Sequence, residues 1–424
     1  MGADLASFNA ILKEDYLDPI RDVLNSKTLL LHRLQRNSED IRGLEAYIPL
    51  NKSRNEGVGS RAENGTLPTA GQQGYDKARF GMKYHYGRIQ ISGPTIEAAA
   101  TDEGAFTRAV DSESRGLVRD VLKDINRQLF GNGEGVLAIP ITEVTDTFIA
   151  NSPVAGYATN VAAALQHLRV GMIVDVIVRA TGVLNAGGDG RTITAINKTT
   201  GLVTFNAGTD LTALSTTHAV IRTRSAGVDV SHEMFGLDAA IRTTNPDSAA
   251  AGQVVNFGLI DRTAAGNDFW HGNEMANAGV LRAFDVNMFE EAIDTVDIEG
   301  DGEISIWIGS HAMHRKYAQQ LIPDRRYTTQ EGNFSMLDGG FKALEYDGIP
   351  VVKDRDCQPG RFYGLDESTF MIFEMSDWQW MDKDGAVLSR VSGVDAYEAT
   401  LYKYMQLGCD DPRNSIVIKD LQEA

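Results

Sequence analysis

The stretch Asp297–Glu303, DIEGDGE, has the spacing of a calcium-binding loop. Acidic residues at loop positions one, three and five with Gly at position six are typical of an EF-hand. Position twelve is Ile308, where that loop requires a bidentate Glu, and a strand-like run follows in place of a helix. The stretch therefore does not predict a calcium site.

Other residue types that could perform chemistry are equally isolated. His311 and His314 lie one helical turn apart without a third ligand nearby, and Cys357 and Cys409 have no pairing spacing. The sequence has no GxSxG, P-loop or HExxH motif, and GNGEGV at Gly131 follows a predicted helix, where a dinucleotide loop would follow a strand. We predict no catalytic residue, no metal site and no cofactor.

Composition narrows the class of protein. The 424 residues are 42% hydrophobic and 23% charged, which is typical of a globular chain. A net charge of -18 argues against a protein that grips nucleic acid, although a container could still hold it. No run reaches the roughly 18 apolar residues of a membrane span, and the first residues lack a signal-peptide pattern. We expect a protein made in the cytoplasm, without a membrane partner.

A long polar loop, Asn51–Gly81, stands out because loops above about 15 residues are uncommon in compact domains. Residues 48–90 carry seven basic and three acidic residues, whereas residues 343–424 carry eight basic and sixteen acidic ones. This asymmetry has two interpretations: the loop of one copy rests on the body of another, or both are unrelated solvated surfaces. The candidate interface residues are Arg54, Arg61, Lys77 and Arg79.

The segment after this loop predicts a strand, a turn and a long helix. YHYGRIQIS alternates with period two, Gly93-Pro94 ends the strand, and apolar residues from Phe106 to Leu129 recur at spacings of three, four and seven. The helix is about eight turns long and is either a solvated surface helix or a rod lying against neighbouring subunits. Its charged face includes Arg108, Glu113, Arg115, Arg119 and Lys123.

The second half of the chain predicts two further units. Short β-patterned runs separated by the turns NAGGDG, NKTTG and NAGTD indicate a small all-β unit at 168–225. It is either a partner-binding module or a decorating insertion. The remainder mixes helices, with Asp285 and Ser310 as predicted caps, and strands such as GIPVVKD and STFMIFEM, which indicates an α+β body.

The order of these parts resembles the major capsid protein of tailed double-stranded DNA phages, the Hong Kong 97-type capsid fold. GIPVVKD and FYGLDESTFMIFE are moderately specific motifs of that resemblance, and the order of the parts is the stronger signal. It implies an α+β fold with an N-terminal arm at 1–47, an E-loop at 48–92, a spine helix and the start of the peripheral domain at 93–135, the start of the axial domain at 136–167, an inserted small all-β domain at 168–225, the axial domain at 226–365, and C-terminal strands at 366–424 that complete the body.

The resemblance also implies function and partners. The chain would form hexamers and pentamers of an icosahedral shell that encloses double-stranded DNA without reading its sequence, located in the virion and assembled in the host cytoplasm. A separate scaffolding protein, a portal and a decoration protein are implied partners. Scaffolding is expected to be separate because the pattern FNAILKEDYLDPIRDVLNS begins within ten residues of Met1.

Two alternatives remain at this point. An encapsulin-like cellular compartment would have the same fold without a genome inside. An enzyme of another class would use the loop at 51–81 as an active-site lid. Lys52 and Lys77 could supply an isopeptide bond of the kind some relatives form, but nothing in the sequence identifies the Asn and Glu partners, so crosslinking is not predicted.

Overall fold

A computed structural model describes residues 28–94, 103–144, 146–208, 211, 214–222, 232–246, 256–321, 336–337, 341–342, 344–382 and 387–423, with backbone alone at 103–112, 142–144, 336–337 and 341–342. Its α-helices are α1 (Leu29–Arg33), α2 (Glu103–Leu129), α3 (Val161–Ala164), α4 (Leu237–Ala240), α5 (Asn287–Gly300) and α6 (His311–Gln320). Short 3-10 turns lie at Phe257–Leu259, Asp268–Trp270, Glu367–Thr369 and Pro412–Asn414.

The strands are β1 (Gln35–Asn37), β2 (Ile41–Arg42), β3 (Glu45–Ser53), β4 (Gly74–Gly81), β5 (Lys83–Ser92), β6 (Val136–Val144), β7 (Thr147–Asn151), β8 (Ile173–Val178), β9 (Arg191–Ile196), β10 (Leu202–Phe205), β11 (His218–Arg222), β12 (Asn273–Met275), β13 (Ile306–Gly309), β14 (Met336–Leu337), β15 (Phe341–Lys342), β16 (Leu344–Tyr346), β17 (Ile349–Lys353), β18 (Phe362–Leu365), β19 (Phe370–Glu374), β20 (Gln379–Trp380), β21 (Ser389–Arg390), β22 (Ala396–Cys409) and β23 (Ile416–Ile418).

The first sheet is organised around the 14-residue strand β22, and we call it the β22 sheet. Strand β5 pairs antiparallel with β22 over ten residues, from Lys83 opposite Met405 to Ser92 opposite Ala396. Strands β19, β20 and β21 pair with β22 as well, and β1 extends the sheet beyond β19. The strand before the Gly93-Pro94 turn is therefore fixed by the C-terminal part of the chain.

Helix α2 lies across this sheet with its predicted apolar stripe against it. Val118, Leu122, Ile125 and Leu129 are buried. Gly87 of β5 lies under the helix, and a Cβ there would come within about 3 Å of Leu117 and Val121. The stripe residues before position 113 lie outside the described side chains. The helix ends at Leu129, just before Gly131, where the sequence predicts its end.

Strands β3 and β4 form an antiparallel hairpin whose register runs from Glu45 opposite Gly81 to Ser53 opposite Gly74. We call residues 45–81 the arm. The E-loop expected from the sequence spans 48–92, whereas the hairpin ends at Gly81. Strand β5 leaves the hairpin and pairs with β22 in the β22 sheet.

A second sheet has the strand order β12-β23-β18-β13-β17-β16, and we call it the β13 sheet. Helices α5 and α6 contribute to its core, in which Trp307 stacks on Phe289 with ring centroids 4.3 Å apart. Strand β23 belongs to this sheet, so residues after Leu365 supply strands to both sheets.

A six-stranded closed barrel has the order β10-β7-β6-β11-β8-β9. The four β-patterned runs predicted within 168–225 are strands β8 to β11, but they do not close on themselves. Strand β11 pairs with β6 and strand β10 with β7, so the barrel starts at Val136 and the expected boundary at residue 168 divides it. The expected start of the axial domain at 136–167 instead contributes these two barrel strands.

Candidate assembly surfaces

The arm has an anchored base and an exposed outer part. Its inward residues, Ala46, Ile48, Leu50, Ala78 and Phe80, are buried in the main core. Phe80 packs against the ring of Phe257 with centroids 5.0 Å apart. Residues 54–73 contain no strand and are almost all exposed. The apolar side chains at the base of the arm are therefore buried within their own subunit. The outer part of the arm has little surface of its own subunit to pack against.

All four predicted interface cations of the arm are exposed. Lys77 and Arg79 alternate with buried Ala78 and Phe80, so they share the outward face of β4. Lys77 lies 5.9 Å from the centre of the Tyr47 ring, and Arg54 is 3.3 Å from Glu56. Arg79 has no ion-pair partner within the described residues.

Lys52 differs from these four residues because it is held by its own subunit. Its amino group donates to Asn267 at 3.0 Å and lies 5.5 Å from the centre of the Phe269 ring. Lys52 therefore fixes the base of the arm.

Many carboxylates of the acidic C-terminal part are engaged inside the subunit. Glu374 forms an ion pair with the buried Lys403 at 2.6 Å, and Glu367 forms one with Arg33 at 2.5 Å. Others in this region with an internal partner are Asp354, Asp356, Asp377, Glu398, Asp411, Asp420 and Glu423. Much of the acidic excess at 343–424 is thus paired within the fold.

Exposed carboxylates are concentrated around α5. Glu290, Glu291, Asp294, Asp297, Glu299, Asp301 and Glu303 are all exposed. The stretch that has calcium-loop spacing belongs to this surface: Asp297 and Glu299 lie in the helix, Asp301 follows it with φ of 53°, and β13 comes next. The described residues contain no group of three or more His, Cys, Asp or Glu side chains placed to hold a metal ion.

Of the two predicted helix caps in this region, Ser310 lies where the sequence predicts it and Asp285 lies one residue before the observed cap position. Ser310 caps α6 by accepting from the Met313 amide at 3.2 Å. Helix α5 begins at Asn287, and Asp285 accepts from the Asn287 amide at 3.1 Å from just outside the helix. Burial and the nearby charge of Lys353 lower the pKa of His314, which favours its neutral form.

The residues of the predicted charged face of α2 are exposed wherever the structure describes their side chains. Glu113, Arg115, Arg119 and Lys123 are exposed, and the side chain of Arg108 lies outside the described residues. Two clefts of about 650 and 520 Å³ flank the C-terminal half of this helix and share Lys123, Arg355 and Asp356. No described helix is both long and apolar enough to cross a membrane.

A buried ionic cluster below the end of α2 was not predicted from the sequence. Asp238 of α4 binds Arg361 and lies 3.1 Å from Arg242. Although burial raises the pKa of Asp238, the charges of Arg242 and Arg361 outweigh it and hold that pKa well below its usual range. Arg127 likewise binds Asp124 at 3.0 Å and Glu233 at 2.5 Å. The pairs Asp238–Arg361 and Arg127–Glu233 join residues that are distant in sequence, so no local pattern signals them.

Comparison with known proteins identifies the fold. No protein-family model matches the sequence, and no curated protein does. The chain is similar to a chain of the capsid asymmetric unit of cyanophage A-1(L), with 13% identity, 93% of each chain covered and a TM-score of 0.50. A structure of Microbacterium phage Oxtober96 aligns with 10% identity, 94% and 92% coverage and a TM-score of 0.44, and a capsid of the native GTA particle with 10% identity, 93% and 91% coverage and a TM-score of 0.42. The α+β phage capsid fold predicted from the sequence is confirmed.

Proposed function

We propose that this chain is the major capsid subunit of a phage, a structural protein that assembles in many copies into an icosahedral shell around double-stranded DNA. The observation that carries the proposal is the capsid fold over 93% of the chain, together with an exposed cationic arm that extends from that fold.

The arm supports self-association through its charge. Arg54, Arg61, Lys77 and Arg79 are exposed on a chain whose net charge is -18, so another copy presents an acidic surface to them. Complementary charges of this kind steer association and fix its register. One exposed acidic surface in the described residues surrounds α5.

Sedimentation velocity of the purified protein tests the proposal. We expect a fast-sedimenting particle built from many 46.2 kDa subunits. A monomer at every concentration would contradict the proposal and would favour the enzyme with a lid.

The DNA content of the particles separates a virus shell from a cellular compartment. Particles from infected cells, treated with nuclease and then opened, should release genome-length double-stranded DNA. Particles filled with protein and free of DNA would indicate an encapsulin-like compartment instead. In the viral case, the shell assembles in the host cytoplasm with a separate scaffolding protein and a portal, and decoration proteins bind its outside.

A further inference from the structure

The flanks of α2 form a basic surface on an acidic protein. The two clefts beside the helix are lined by seven basic and four acidic residues. All four carboxylates already have partners in the subunit: Asp124 binds Arg127, both Asp354 and Asp356 accept from Asn126, and Asp120 lies 3.4 Å from Lys123. Six of the seven cations are exposed, namely Arg119, Lys123, Arg169, Arg222, Lys353 and Arg355. Three of these six have a carboxylate partner, because Lys123 pairs with Asp120, Arg222 with Asp124 and Arg355 with Asp356, but the cations outnumber the carboxylates and the lining stays net positive.

These cations come from three separate parts of the fold. Arg119 and Lys123 belong to α2, Arg169 and Arg222 to the barrel unit, and Lys353 to the end of β17. Arg119 and Lys353 have no carboxylate partner among the residues that the structure describes. Three distant segments thus place positive charge in two adjoining clefts, which we together call the basic groove.

The basic groove lies on one broad face of the β22 sheet. Gly87 of β5 contacts α2, whereas Tyr84 and Tyr86 alternate with it and point to the opposite face. That opposite face is nearly neutral: the ring of Tyr404 lies 5.0 Å from that of Tyr84, and Arg88 is paired with Glu398. A subunit in a thin shell turns one such face inward and the other outward.

The spacing of the cations fits a nucleic acid backbone. Arg119 and Lys123 of the groove, and Arg115 one turn before them on α2, recur every four residues, which separates them by about 6 Å along the helix. One strand of duplex DNA advances about 3.4 Å per phosphate, so every second phosphate lies about 6.8 Å from the last. Contacts of this type carry no sequence information, as a container for any genome requires.

We propose that the basic groove is the genome-facing surface of the subunit and that its lysine and arginine side chains contact the phosphate backbone of duplex DNA. The proposal rests on the proposed function and adds to it the orientation of the subunit: α2 faces the DNA and the tyrosine-bearing face of the β22 sheet faces away. The exposed acidic residues elsewhere repel DNA and so confine contact to this face.

Binding of a short random-sequence duplex to unassembled subunits tests the proposal, with fluorescence anisotropy recorded over a range of KCl concentrations. The groove variant replaces Arg119, Lys123, Arg169 and Lys353 by Gln. A matched arm variant replaces Arg54, Arg61, Lys77 and Arg79 by Gln and removes the same charge. Light scattering in the same samples verifies that the subunits are unassembled.

The unmodified subunit should bind the duplex weakly, with an affinity that falls steeply as the KCl concentration rises. Each phosphate that a protein neutralises contributes about 0.9 to the slope of log affinity against log salt, so the groove variant should lower that slope by up to about 3.6. The arm variant should keep the parent's slope. No binding by the parent at low salt, or equal reductions of the slope in both variants, would overturn the proposal.

Assembly of the groove variant provides the second measurement. It should still form normal particles, because its cations face the genome and contact no neighbouring subunit. Folded groove-variant subunits that fail to assemble would identify the groove as an interface for another copy or for an acidic scaffolding protein, and would overturn the assignment to DNA. The proposed function fails if the unmodified protein forms no particles or forms particles free of DNA, whereas this proposal fails on duplex binding by unassembled subunits and on assembly of the groove variant, so the two failures are distinguishable.

Discussion

At the scale of single residues, Asp238 is the charge on which the buried junction below α2 depends. Only 3% of its surface is exposed, and it binds the guanidinium groups of Arg361 and Arg242. Asp238→Asn would leave Arg361 buried without its counter-charge. Loss of one partner of a buried pair costs about 3–5 kcal/mol, so urea unfolding of the variant should show a loss of that size.

The matched control for this change is Asp297→Asn on the exposed surface of α5. It should alter the free energy of unfolding by no more than about 0.5 kcal/mol, as surface substitutions usually do. Equal stability of the two variants would show that Asp238 contributes nothing through its charge.

His85 gives the subunit a specific dependence of stability on pH. It is buried between β5 and α2, and burial lowers its pKa from 6.5 to about 4. The unfolded chain therefore binds a proton more readily than the folded one, so stability is complete above pH 6.5 and falls as the pH drops towards 4. The full shift corresponds to roughly 3 kcal/mol.

His85→Phe should flatten this part of the profile, measured by urea unfolding of unassembled subunits at several pH values. His167, whose pKa burial and the charge of Arg127 also lower to about 4, should account for a further share of the slope. An unchanged slope in the His85 variant would refute its assignment as a buried neutral residue.

At the scale of elements, the boundaries of the barrel determine which deletion should leave a folded subunit. Ile221 of β11 pairs with Val136 of β6, so the two ends of the barrel are adjacent. Replacing residues 136–222 by a short Gly/Ser linker should therefore leave a folded subunit. Its stability should fall, because Tyr157 is buried against the body and its hydroxyl donates to the carbonyl of Leu421.

The shorter deletion of 168–225 is the informative comparison. It removes β10 and β11, the partners of β7 and β6, and uncovers Phe148 and Leu137 of the barrel core. This variant should aggregate, whereas the longer deletion stays soluble with a cooperative unfolding transition. Soluble, cooperative behaviour of the shorter deletion alone would contradict the six-stranded barrel.

The barrel also shows why some elements could be predicted from the sequence and others could not. The apolar stripe of α2 and the alternation in β5 are local patterns, so both elements were predicted close to their observed positions. The closure of the barrel depends on pairing between β6 and β11, which are distant in sequence. The pair of Asp238 and Arg361 spans 123 residues and has no local signal either.

At the scale of the whole molecule, the arm is expected to control assembly. Reversing Arg54, Arg61, Lys77 and Arg79 to Glu places negative charge where an acidic neighbour must dock. The variant should remain folded by circular dichroism and should assemble poorly at low salt, since exposed charges act mainly on association and are screened by salt. Normal particles from this variant at low salt would show that the arm does not bind through its charge.

A control variant with the same change in net charge shows whether added negative charge alone prevents assembly. This control variant reverses Arg119, Lys123, Arg169 and Lys353 to Glu. It should still assemble, because these residues lie in the basic groove beside α2 and not on the arm. If both variants fail alike, repulsion between highly acidic subunits explains the result without any role for the arm.

Electron cryomicroscopy of the purified protein tests the central claim most directly. We predict closed icosahedral particles in which the exposed outer part of each arm, residues 54–73, lies on a neighbouring subunit and α2 faces the interior. Dispersed single subunits under all conditions, with the arm folded over its own body, would contradict the account.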